Sequence, residues 1–309
     1  MRVVEEINST LNKLMAKNKD LVIIGEDILD PYGGAFKATK GLSTKYPKRV
    51  ITTPVSEASI IGFACGLAMQ KKPVIAEIMF GDFLSLAFDQ IINHISKFIW
   101  MFNNTNIPLI IRTPMGGGRG YGPTHSQSIE KHFCGIPGLN IIAIDQFMDL
   151  EKIYSDIFKS KKPTLLIENK ILYGKELKKE FKFLNHNKPD VICVTYGSSV
   201  EICINSAKKL MEEEEILVEV FPVRQLNPIN GDSIKNLKKR SKKFLFVEES
   251  VGGWGFAEVC SSFLVGSNDI DVAYVTGPNH PIPSSKKWEL KVLPNEDKVS
   301  KEIINLFNK

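Results

Sequence analysis

Short β-branched and apolar runs alternate with segments of helical periodicity along the whole chain. Leu21–Ile24, Val50–Ile51, Pro73–Met79, Pro108–Thr113, Asn140–Ile144 and Pro163–Glu168 read as strands. Between them the spacing predicts helices over Val3–Met15, Ile60–Met69, Phe83–Trp100 and Glu151–Lys159, with a short one over Ser128–Phe133. A charged stretch, Lys175 to Glu180, runs on through Lys188-Pro189, and beyond it the alternation restarts. Strands are expected at Val191–Tyr196, Ile216–Phe221, Phe244–Val247 and Val272–Val275. Helices are expected at Val200–Glu213, Ile234–Lys239, after Gly252-Gly253-Trp254-Gly255, and at Lys298–Phe307. Strands alternating with helices predict an α/β fold with mainly parallel sheets. The chain divides into a domain at 1–175, a linker at 176–189 and a smaller domain at 190–309.

The segment from Arg49 to Phe83 organises the first half. Pro54 ends the strand at Val50-Ile51, because proline lacks the N–H a continuing strand needs. Ser56 stands where a helix N-cap belongs. The helix that follows is apolar nearly all round and rich in small residues (Gly62, Ala64, Cys65, Gly66, Ala68), so it is expected to be buried. Glu57 sits at its head. An acid in a first turn can simply complement the helix dipole. It can also be a functional carboxylate at the carboxyl end of a strand, where ligands of open α/β sheets collect. Glu26 follows the first strand in the same way, at the start of a loop containing Gly33-Gly34.

The glycine-rich segment PMGGGRGYGPTHSQS invites a dinucleotide or phosphate reading. No helical apolar pattern follows it and Pro123 interrupts it, so it is better read as a flexible loop presenting His125.

Composition narrows the class. Hydrophobic residues make up 43% and charged residues 24%, ordinary for a globular protein. The net charge of +5 comes partly from Lys238-Lys239-Arg240 and Lys242-Lys243, which lack the interleaved aromatics of a nucleic-acid groove. No apolar run is long enough to span a bilayer, and the N-terminus reads as an amphipathic helix carrying acids, with no signal peptide. Five cysteines without a CxxC read as reduced core thiols of a cytoplasmic protein.

TPVSEASIIGFACGLAM, with GEDILDPYGGAFKATKGL before it and PVIAEIMFGDFLSLAFDQIIN after it, resembles the β subunit of the thiamine-diphosphate-dependent 2-oxo acid dehydrogenases. This is the pyruvate and branched-chain E1 β group of the transketolase superfamily, and the resemblance runs on to TGPNHPIPSSKKWELKVLPNEDKV. It implies a transketolase-like pyrimidine-binding domain followed by a transketolase C-terminal-like domain. It makes Glu57 the carboxyl group that hydrogen-bonds N1′ of the cofactor's aminopyrimidine and so favours the tautomer able to deprotonate the thiazolium. Burial would raise the pKa of such a carboxyl group. The resemblance puts Glu26 beside the cofactor, Phe83 against the pyrimidine with Met79 close by, and His125 in the active site through His125-Ser126-Gln127.

The family's metal-seating Gly-Asp-Gly stretch has no match: Gly81-Asp82-Phe83 and Gly231-Asp232-Ser233 do not fit it. No metal ligand is therefore assigned to this chain. The resemblance assigns the diphosphate and Mg²⁺ site to an α subunit, in an α2β2 assembly, with a small 2-oxo acid as substrate and a lipoyl-bearing E2 as a further partner. Two departures open an alternative. Gly122-Pro123-Thr124-His125 resembles transketolases, and Pro222 stands where the family more often has an acid. The alternative is the C-terminal half of a split transketolase-like or acyloin-forming transferase with a small carbonyl acceptor.

Overall fold

The computed structural model describes residues 1–103, 106–178, 186–266 and 269–309. Much of the expected linker, residues 179–185, lies outside the described residues. The chain forms two compact units. The first comprises Met1–Met115 and Phe133–Lys179, the second Gly116–His132 and Glu180–Lys309.

The first unit carries strands β1 (Val22–Gly25), β2 (Val50–Thr52), β3 (Val74–Glu77), β4 (Leu109–Met115), β5 (Asn140–Ala143) and β6 (Thr164–Asn169). They stand in the order β2-β1-β3-β4-β6-β5, and each of these pairings is parallel. A parallel sheet is covered on both faces, which is why its strands read as continuous apolar runs. β3, β4 and β6 are buried at every position. Helix α1 (Val3–Lys17) lays Val3, Ile7, Leu11 and Met15 on this core, each fully buried. Such burial stabilises by about 1.5–3 kcal/mol per side chain. Helices α2 (Leu42–Lys45), α3 (Glu57–Met69), α4 (Ser96–Met101) and α5 (Leu150–Ser160) complete the unit's α-helices.

The second unit carries β7 (Val191–Thr195), β8 (Val218–Pro222), the short β9 (Gln225–Asn227), β10 (Lys243–Val251) and β11 (Asp271–Gly277). Its sheet runs β11-β10-β7-β8, again parallel throughout. Helices α6 (Ser199–Glu214), α7 (Gly231–Leu237), α8 (Phe256–Ser262), α9 (Lys286–Val292) and α10 (Glu296–Phe307) accompany it. The α/β class and the parallel sheets are those the alternation predicts. No described helix is long and apolar enough to cross a membrane.

Three local expectations change. The helix expected over Phe83–Trp100 is a 3₁₀ segment (Gly81–Ala87), a π segment (Gln90–Ile95) and then α4. Periodicity reports a buried face but not the pitch that delivers it. Helix α3 is not buried all round: Phe63 is 62% exposed and Ser59 and Gly66 lie open beside it. The sheet covers one face of a helix, so an all-apolar helix keeps an open face in this chain. α2, β9 and α9 have no counterpart in the sequence expectation.

Candidate active site

Glu26 and Glu57 occupy equivalent places on neighbouring strands. β1 ends at Gly25 and β2 at Thr52, and these two residues are partners in the parallel register. Glu26 is the next residue after β1, and Glu57 opens α3 shortly after β2. Both carboxyl groups are buried, each 5% exposed. Ser56 is the N-cap of α3, but its hydroxyl bonds Ser59 Oγ at 2.9 Å instead of a backbone N–H. Burial first, and then the charge of Glu57, push the Glu26 carboxyl above its ordinary range. Glu26 Oε1 is buried with no hydrogen-bond partner among the described residues. A buried orphan acceptor at a strand end suits a polar ligand, because an unpaired polar atom there is costly.

Met79 and Phe83 follow the end of β3, the strand on the other side of β1. Both are half-buried. Phe83 lies edge-on to Phe80 at 5.7 Å between ring centres, and Phe80 stands the same distance from Phe36. Lys170, fully buried, places its Nζ 5.3 Å from the Phe80 ring centre. Phe36, Phe80 and Lys170 extend the aromatic group beyond the residues the sequence singled out. In the order β2-β1-β3 the chain leaves β1 for one neighbour and then crosses to the other. That reversal makes a switch point, and open parallel sheets bind ligands in the crevice at such points.

Behind this edge lies a buried ionic network. Arg112 on β4 donates to Glu77 at the end of β3 and, through both Nε and Nη2, to Glu168 on β6. Tyr154 and Tyr173 donate their hydroxyls to Glu168 at 3.0 and 2.6 Å. Burial disfavours the Arg112 cation, yet Glu168 and Glu77 hold it above its ordinary value. Burial raises the Glu77 carboxyl more than Arg112 lowers it. The sequence signal was there, as charges inside the apolar strands VIAE, LIIRTPM and LLIEN.

His125 belongs to the second unit, within the Gly116–His132 segment. Its ring Nδ1 lies 2.8 Å from Thr124 Oγ1, and its backbone N–H donates to Gly122. Ser126 beside it is buried, with Oγ unpartnered among the described residues. The segment is anchored along its length. Gly116 N–H donates to Gln127 O, Lys131 Nζ reaches the carbonyls of Val251 and Gly253, and Tyr196 donates its hydroxyl to Glu130. The sequence suggests a flexible loop here, and the structure ties it to residues distant in sequence.

Comparison with known proteins agrees with this architecture. The transketolase pyrimidine-binding domain family matches residues 1–176, and the transketolase C-terminal domain family matches residues 181–299. The pyruvate dehydrogenase E1 β subunit of Mesostigma viride is 31% identical, covering 92% of this chain and 91% of that protein. The β subunit of acetoin:2,6-dichlorophenolindophenol oxidoreductase from Cupriavidus necator is 29% identical over 95% and 94%. A solved structure described as a split-gene transketolase, inactive β4 tetramer, superposes with a TM-score of 0.81 at 18% identity, covering 100% of this chain and 99% of that one. Fold and matched domains thus define a chain of transketolase type. It belongs to the E1 β-subunit group of the 2-oxo acid dehydrogenases, a family that depends on thiamine diphosphate.

Proposed function

We propose that this chain is the β subunit of a thiamine-diphosphate-dependent 2-oxo acid dehydrogenase, active only with a separate α subunit. The observation that carries this reading is the convergence of Glu26, Glu57 and the Met79–Phe83 segment on the carboxyl ends of β1, β2 and β3. The buried, orphaned Glu26 Oε1 and the half-buried Phe83 ring suit a planar ligand with polar edges. Thiamine diphosphate, when bound, supplies an electron sink for decarboxylation. Glu57 holds a proton at pyrimidine N1′, Phe83 and Met79 offer the ring an apolar face, and Glu26 lies beside them. His125 moves a proton at the acceptor. In this reading residues 1–175 are the pyrimidine-binding domain, 176–189 the linker and 190–309 the C-terminal domain. The α subunit contributes the diphosphate and Mg²⁺ contacts in an α2β2 assembly, and the acyl group passes to lipoamide on an E2 partner. A cytoplasmic setting is in keeping with five free thiols.

The Gly122-Pro123-Thr124-His125 sequence supports a second reading, a transferase half that passes its group to a small carbonyl. One assay separates the two. The chain is purified with its α partner and supplied with candidate 2-oxo acids, using lipoamide, a redox dye or an aldehyde as acceptor. Turnover with lipoamide supports the dehydrogenase; carbon–carbon bond formation with the aldehyde and none with lipoamide supports the transferase.

A further inference from the structure

Two carboxylates of its own unit hold the glycine-rich part of the segment carrying His125. Gly117 N–H donates to Glu249, and Gly120 N–H donates to Glu289. Glu249 lies near the carboxyl end of β10 and also accepts from Ser198 Oγ at 3.2 Å. Glu289 lies on α9 and is fully buried. Bonds from an N–H to an ionised carboxylate are the stronger class of hydrogen bond, and each fixes one point of the backbone.

The glycines here serve close approach. A Cβ on Gly117 would stand 2.6 Å from Leu293 Cδ1 and 3.0 Å from Glu289 Oε1. Gly120, at φ +82°, would bring a Cβ to 3.0 Å from Lys286 Cβ. The loop backbone is thus pressed onto the α9 region, and side chains at these positions would lift it off. Both anchor points lie N-terminal to His125, and the bond from Gly116 N–H to Gln127 O closes the segment just beyond it.

We propose that Glu249 and Glu289 are positioning residues for His125. They clasp the Gly117–Gly120 backbone so that the imidazole is presented in one place for proton transfer to the acceptor. The role rests on the transfer function proposed above for His125; the clasp itself does not.

The test uses the full chain and the enzyme assembled with its α partner. Variants are Glu249→Ala, Glu289→Leu and Glu289→Gln, the last keeping an oxygen to accept from Gly120. Glu249 is half-buried, so Glu249→Ala gives a folded variant even should Glu289→Leu misfold. Hydrogen exchange across residues 116–128 should quicken about tenfold in Glu249→Ala and Glu289→Leu, with β7 and β10 keeping their protection. The ratio of turnover with the natural acceptor to turnover with a dye should fall about tenfold in the same variants, and Glu289→Gln should restore most of both. Unchanged exchange in the segment, or exchange rising equally in β7 and β10, overturns the clasp. Faster exchange with an unchanged acceptor ratio overturns the positioning role. His125→Ala separates the two levels: if it leaves the acceptor ratio untouched, the function proposed for His125 fails, whatever the exchange shows.

Discussion

Glu26 and Glu57 follow the carboxyl ends of two adjacent parallel strands whose last residues, Gly25 and Thr52, are register partners. The charge of one raises the carboxyl of the other. Burial is the larger cause of that rise, and both residues are buried.

The stacking role proposed for Phe83 gives a binding prediction. Phe83→Leu removes an aromatic face while keeping the volume apolar. Aromatic contacts contribute about 0.5–1.5 kcal/mol beyond area burial. The half-saturating concentration of thiamine diphosphate should therefore rise up to about tenfold, with turnover at saturation much less affected. Titration of the assembled enzyme reads this directly, and an unchanged half-saturation returns Phe83 to the role of core residue.

Glu130 gives a pH prediction in the second unit. Burial pushes its carboxyl up to about 7, the Tyr196 hydroxyl pulls against that, and Glu248 and Glu249 add to the rise. The folded state thus holds this proton more tightly than the unfolded chain, whose carboxyl titrates near 4.5. The stabilisation is complete below the unfolded value and is lost as pH rises toward the folded one. Glu130→Gln keeps an acceptor for Tyr196 and removes the buried charge. It should raise the thermal midpoint at about pH 8, with a gain on the order of 3 kcal/mol at most, and flatten the decline between about pH 5 and pH 7. A variant less stable than the parent at about pH 8 would contradict this.

Arg112 holds two buried carboxylates. Arg112→Met should destabilise the first unit by about 3–5 kcal/mol, since Glu77 and Glu168 are left without their cation. Adding Glu77→Gln and Glu168→Gln should recover much of the loss, because the penalty is that of unpaired charge. Denaturant melts of the three proteins decide it; a loss below about 1 kcal/mol in the single variant would mean water reaches the network.

Much of this was legible in the sequence, and the exceptions share a cause. The alternation gave the strands of both sheets because parallel strands are apolar along their length, as in LIIRTPM and VICVT. Glu26, Glu57, Met79 and Phe83 were found through motif resemblance, and the strand order then brought their elements to one edge. What stayed hidden depends on partners far apart in the chain. Tyr196 and Glu130 are 66 residues apart, Arg112 and Glu168 56, and Gly120 and Glu289 169. Glycines at 116–122 have the local pattern of a flexible loop. Only the fold shows Leu293 and Lys286 standing where their side chains would be.

In the proposed function Glu57 exchanges a proton with the cofactor's pyrimidine. Glu57→Gln keeps size and polarity but holds no ionisable proton. Turnover of a 2-oxo acid by the assembled enzyme should fall on the order of 10²–10⁴-fold, with assembly and thermal stability near those of the parent. Full turnover in a correctly assembled Glu57→Gln enzyme would contradict the account.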